Sequence, residues 1–101
     1  MSFNKDIFSE HFKNKDYDAC SDMLRKELIS ILVNEIKKIN PTYVYTTITF
    51  LKSDCFKYLS PIYQDIAIKL YDFSFNEDPS EFELSQMMDI YQFLLKNNEQ
   101  I

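Results

Sequence analysis

The 101-residue chain has no glycine, no tryptophan, a single histidine (His11), a single arginine (Arg25), two cysteines and three prolines. Loops that cradle phosphate depend on a close backbone approach that glycine permits, so a Walker loop and a dinucleotide-binding turn are excluded. The EF-hand calcium loop needs glycine at its sharp bend, and the primed turns of β-hairpins prefer it. A calcium loop of that kind and a hairpin-rich β fold are therefore not expected. No run of about 18 apolar residues occurs, so no segment is expected to span a bilayer. The opening residues, Met1-Ser2-Phe3-Asn4-Lys5-Asp6, lack the basic and apolar regions of a secretion signal. The expectation is a cytoplasmic protein whose Cys20 and Cys55 are reduced thiols serving as small core residues.

What is present is ordinary for a folded chain. Hydrophobic residues make up 46% and charged residues 27%, and seven Tyr with nine Phe argue against disorder. One domain over residues 1–101 is expected, because independent domains usually run to about 100–150 residues. The net charge of −5 is unevenly spread. Residues 1–69 hold nine acids and ten bases, whereas residues 70–95 hold six acids and no base. Such a C-terminal third repels nucleic-acid phosphates and suits a basic partner surface. Glu77, Asp78, Glu81 and Glu83 are the candidate residues for that surface.

The prolines divide the chain. Asn40-Pro41, Ser60-Pro61 and Asp78-Pro79 each pair a capping residue with a proline, which fits the first helical position because its missing N–H would be unpaired there. Asp78 with Glu81 has the spacing of a capping box. The first helix is expected over Phe3–Phe12, with Phe3, Ile7, Phe8 and Phe12 on one face. Asn14-Lys15 then turns the chain and Asp16 caps a second helix from Tyr17 to Ile39, the expected spine. Between Thr42 and Phe50 the residues favour strands, yet Val44, Ile48, Leu51 and Cys55 keep a helical stripe and no second strand is available to pair. A third helix over 41–59 is the expectation. A fourth follows from Pro61 to Phe73, presenting Ile62, Ile66, Leu70 and Phe73. A fifth runs from Pro79 to Lys96, presenting Leu84, Met87, Met88, Tyr91, Leu94 and Leu95. Short connections favour antiparallel neighbours, so the fold class is all-α, a compact bundle of four or five mostly antiparallel helices.

Little in this pattern supplies catalysis. His11 and Arg25 fall at different heights of a hairpin that turns at Asn14-Lys15. His11, Asp16, Asp18, Cys20 and Asp22 lack the close Cys or His pairs of a zinc site. No serine sits in a nucleophile elbow. No catalytic residue, metal or cofactor is expected. Arg25, Lys26, Lys37 and Lys38 on the second helix are the candidate contacts for RNA, but Glu27 and Glu35 are interleaved with them, so nucleic acid is the weaker alternative.

The stretch Phe12-Lys13-Asn14-Lys15-Asp16-Tyr17-Asp18-Ala19-Cys20-Ser21-Asp22-Met23-Leu24-Arg25-Lys26-Glu27-Leu28 is a turn, then Asp-Tyr, a small residue and Leu-Arg-Lys-x-Leu. It resembles the hairpin between the first two long helices of HEPN domains, and is similar to one tetratricopeptide hairpin. The second helix runs on past the end of a tetratricopeptide repeat and no second repeat follows, which favours the HEPN likeness. That resemblance implies that Tyr17 wedges the hairpin, that Ala19 lets its helices approach, and that the fold is a compact bundle. HEPN ribonucleases carry an Arg followed within two turns by His, whereas here the Arg follows the His. The resemblance therefore implies a member without ribonuclease activity, in a defence or toxin–antitoxin setting.

Together these readings lead to a non-enzymatic helical bundle that binds another protein. An acidic inhibitor or immunity protein is the nearest alternative and an RNA-binding bundle the next. On the last helix, Ser85, Asp89, Gln92 and Lys96 form a narrow polar line. Ile90 and Phe93 fall outside the stripe of about 100° that faces the helix's own bundle. Exposing them as one patch is costly, so they are the expected interface of a two-fold homodimer.

Overall fold

The computed structural model describes residues 4–99, with side chains described as far as Lys96. Phe3, expected on the first helix, lies outside the described residues. Among the described residues five helices form: α1 (Lys5–Lys13), α2 (Tyr17–Ile39), α3 (Ile48–Tyr58), α4 (Pro61–Ser74) and α5 (Glu81–Glu99). Among the described residues there is no strand, and no helix is long and apolar enough to cross a membrane.

Asn4 opens α1 by accepting from the N–H groups of Asp6 and Ile7, at 3.0 and 3.2 Å. The helix closes in a Schellman arrangement: Lys15 N–H donates to the Phe12 carbonyl and Asp16 N–H to the His11 carbonyl. Lys15 takes the left-handed conformation (φ 58°) that glycine would normally fill. Asp16 then caps α2 by accepting from the Ala19 N–H at 3.4 Å. One turn thus ends α1 and starts α2, and Phe12 lies against Tyr17 with ring centroids 5.8 Å apart.

The spine helix has the expected ends. Cys20, Leu24, Leu28, Leu32 and Ile36 recur every four residues and are fully buried. Each such leucine or isoleucine contributes about 1.5–3 kcal/mol on leaving water. At 1.5 Å rise per residue α2 is about 35 Å long, enough for all four other helices to pack on it. The α1 helix packs on its first half.

The third helix differs from the expectation. Asn40 does not cap a helix starting at Pro41; its N–H donates to the Ile36 carbonyl at 2.8 Å and closes α2. Residues 41–47 are non-helical, and Val44, expected on the buried stripe, is 76% exposed. The reason lies in Tyr43, which is buried and donates its hydroxyl to Asp54 Oδ2 at 2.7 Å. A helical turn through Thr42–Thr47 would not carry that ring to α3. Within α3, Leu51 and Cys55 are buried as expected.

Ser60-Pro61 does start α4 with proline in its first turn, although the Ser60 side chain makes no capping bond. Ile66, Leu70 and Phe73 face the core together with Ala67, while Ile62, expected beside them, is 55% exposed. Asp78-Pro79 does not start α5. The box is Ser80 with Glu83: Ser80 Oγ accepts from the Glu83 N–H, and Glu83 Oε1 accepts from the Ser80 N–H. On α5, Leu84, Met87, Tyr91 and Leu94 are buried, whereas Met88 and Leu95 are half-buried.

The Tyr17 hydroxyl donates to Glu81 at 3.5 Å, and ten residues further along both helices the charge of Glu27 bears on Tyr91. The α2 and α5 helices therefore run the same way. Ile62 faces Phe93 and Asn76 faces Glu83, so α4 runs antiparallel to both. One continuous core joins the five helices.

Candidate functional site

The two helices α4 and α5 have the thinnest contact of any packed pair in the bundle. Their separation opens a groove on the outer side of the molecule. One part, of about 590 Å³, lies between Lys69, Asp72 and Phe73 of α4 and Glu83, Met87 and Ile90 of α5. A second part, of about 330 Å³, shares Lys69, Asp89 and Ile90 with the first and continues past Asp65 to Ile62 and Phe93. Its floor is apolar: Ile66, Phe73 and Met87 are buried and Ile90 is half-buried. Its far end is lined by two exposed apolar side chains, Ile62 and Phe93, the latter 44% exposed. Four carboxylates edge it (Asp65, Asp72, Glu83 and Asp89), and Lys69 is the single basic residue among the lining side chains.

The groove arises from local sequence. On α4, Ile62, Asp65, Lys69 and Asp72 recur at three- and four-residue spacing, which puts them on one edge. On α5, Glu83, Gln86 and Ile90 do the same, with Asp89 next to Ile90. The Asp78–Ser80 connection ends in the capping box, so Glu83 is committed: it accepts from the Ser80 N–H and from the Asn76 side chain. Those bonds, the Ser80 backbone first, hold its carboxyl below the usual carboxylate range.

Both residues expected at a dimer interface, Ile90 and Phe93, line this groove, and α4 adds Ile62 to them. The four acids expected to form a partner surface are divided in role. Glu77 and Asp78 are exposed in the turn before α5. Glu81 accepts from Tyr17, whose hydroxyl is pushed up first by desolvation and then by that carboxylate. Glu83 serves the helix cap. The carboxylates along the groove are instead Asp65, Asp72 and Asp89 with Glu83. Asp72 and Asp89 belong to the same base-free stretch of residues 70–95, in which the tightest acidic cluster is the one around the turn. The repeat Ile62–Asp65–Lys69–Asp72 was a visible signal for the α4 edge.

Basic residues on α2 are mostly neutralised by their own helix. Arg25 and Lys26 both reach Asp22, the lysine at 2.9 Å, and Lys38 pairs with Glu35 at 2.9 Å. Lys37 is exposed. His11 approaches Asp16 through Nδ1 at 3.5 Å, so His11 and Arg25 each have a carboxylate of their own. Both cysteines are buried. Cys20 donates its thiol to the Phe8 carbonyl at 3.7 Å, and burial, with Asp16 nearby, raises its pKa. Burial pushes the Cys55 thiol up to about 12, with Asp54 adding to the effect. Neither is placed to act as a thiolate nucleophile. Among the described residues no group of three or more His, Cys, Asp or Glu could hold a metal ion.

Comparison with family models, curated proteins and solved structures finds no match to this chain. Any functional reading therefore rests on the chemistry of the groove.

Proposed function

We propose that this chain is a binding protein without enzymatic activity, and that it takes a basic surface of another protein on the face formed by α4 and α5. One observation carries the reading: an open groove with an apolar floor, edged by four carboxylates and one lysine. Apolar area supplies the affinity in such a site, and the carboxylates select a cationic partner and speed its approach. The acid-only run from 70 to 95 extends the same field beyond the groove. This is the arrangement of an inhibitor or immunity protein that covers a basic site. The HEPN-like first hairpin belongs to the same proposal, as the scaffold of a member without ribonuclease activity.

The RNA reading has less support, because three of its four cations are paired with acids on the same helix. The homodimer reading has the exposed Ile62 and Phe93 in its favour. A two-fold axis through this groove would, however, bring its carboxylates towards those of the second copy.

The test uses the tagged full chain in extracts of its native cell. Recovery of a basic protein is expected, lost in Asp65→Asn/Asp72→Asn/Asp89→Asn and released by high salt. Recovery unchanged by the triple substitution, or of RNA sensitive to Lys37→Glu, would sink the proposal.

A further inference from the structure

Resting on that reading, we infer that the occupant of the α4–α5 groove is an amphipathic α-helix of about three turns, with lysines or arginines flanking a narrow apolar stripe. The length comes from the groove itself. From Ile62 to Phe73 along α4, at 1.5 Å per residue, is about 16 Å, and from Glu83 to Phe93 along α5 is about 15 Å. A helix of about 11 residues spans that distance.

The backbone decides the conformation of the occupant. Both walls are helices whose N–H and C=O groups are paired along their own length, so neither offers an edge to an extended strand. An extended segment laid over Phe73, Met87 and Ile90 would bury backbone groups without partners. A helix brings its own hydrogen bonds and presents side chains alone. The α5 wall sets the spacing, since Met87, Ile90 and Phe93 each lie about one turn apart. Apolar anchors at i, i+4 and i+7 of the occupant match those three levels.

Charge determines the flanks and disfavours a second copy as occupant. Asp65 and Asp72 stand two turns apart on the α4 edge, while Glu83 and Asp89 stand on the α5 edge. Cations on both sides of the apolar stripe would meet carboxylates on both walls. Lys69 lies one turn from each α4 aspartate and is the one wall residue that repels such a helix. The outer face of α5 is the helix that a second copy would offer in a two-fold contact. It has Asp89 among its exposed residues and no base before Lys96, so acid would meet acid.

The probe is a capped 14-residue fluorescent peptide with leucines at i, i+4 and i+7 and lysines on both flanks. Binding to the full chain is read by anisotropy and helix gain by circular dichroism. The expected result is binding with a gain of helix. Affinity should fall about ten-fold, or 1.4 kcal/mol, in Asp65→Asn/Asp89→Asn. Phe93→Ser and Ile62→Ser, both at exposed positions, should weaken it as well, and Lys69→Ala should strengthen it. Equal binding of a proline-interrupted peptide of the same composition overturns the helical occupant and leaves the acidic-surface reading standing. So does failure of the peptide when a basic protein is still recovered from extracts in an Asp65-, Asp72- and Asp89-dependent way. Binding indifferent to every groove substitution overturns the location. A dimer by light scattering that Phe93→Ser dissociates would assign the groove to a second copy and overturn the inference.

Discussion

Tyr43 shows how one side chain redirects a whole segment. Its hydroxyl holds Asp54, a carboxylate only 9% exposed, and Lys57 Nζ stands 3.7 Å from the other oxygen of that carboxylate. Burial first, and then the bond to Asp54, raises the pKa of the Tyr43 hydroxyl far above its ordinary value. Tyr43→Phe should cost about 1–3 kcal/mol in urea unfolding, because the buried carboxylate oxygen loses its donor. Cys55, next to Asp54, gives a pH signature. Its pKa is raised from about 9 in the unfolded chain to about 12 in the fold. The folded state therefore holds that proton more tightly, and the resulting stability is complete below pH 9 and lost as pH climbs towards 12. Unfolding free energy should fall over that window, and the slope should flatten in Cys55→Ala. A slope identical in the variant would show that Cys55 does not carry it.

At the level of elements, the caps decide where helices begin. Asp78-Pro79-Ser80-Glu81 offers two overlapping capping registers, Asp78 with Glu81 and Ser80 with Glu83. The second forms because it uses both side chains and lets Asn76 donate to Glu83 as well. Ser80→Ala should cost about 1 kcal/mol, whereas Asp78→Ala should stay within about 0.5 kcal/mol. The reverse order in thermal melts would restore the Asp78 register. Glu83 also gives α5 an acid limb: its carboxyl is depressed in the fold, so its contribution is present above the ordinary carboxylate pKa and disappears as pH falls through the folded value. The α2 helix was legible to its end residues because a turn, a cap and an unbroken stripe agree. The 41–47 stretch was not, since periodicity records which residues can share a face and says nothing of Tyr43 reaching Asp54.

On the scale of the molecule, charge and apolar surface coincide on one side. Phe93 is 44% exposed on the groove wall and Tyr91, two residues earlier, is 3% exposed in the core. Phe93→Glu should leave the fold intact, with a stability change within about 0.5 kcal/mol, while Tyr91→Glu should abolish cooperative unfolding. Light scattering at micromolar concentration should give a monomer, since two acidic faces repel. A dimer that Phe93→Glu dissociates would return the groove to self-association.

That the chain is helical, where α2 and α4 start, and that α2 carries the core are all legible in the residues. Those properties follow from local spacing, capping chemistry and the lack of glycine, all read within a few turns of the chain. Tertiary structure decided the rest. Ile62 belongs to the same helical stripe as Ile66 and Leu70, yet it is exposed, lining the α4–α5 groove with Phe93. Asp65 and Asp72 became neighbours of Glu83 and Asp89 only when α4 folded back antiparallel to α5. A stripe on one helix specifies a face, but which part of that face meets a neighbour depends on how the helices pack. The groove was beyond the reach of either helix's pattern alone for that reason.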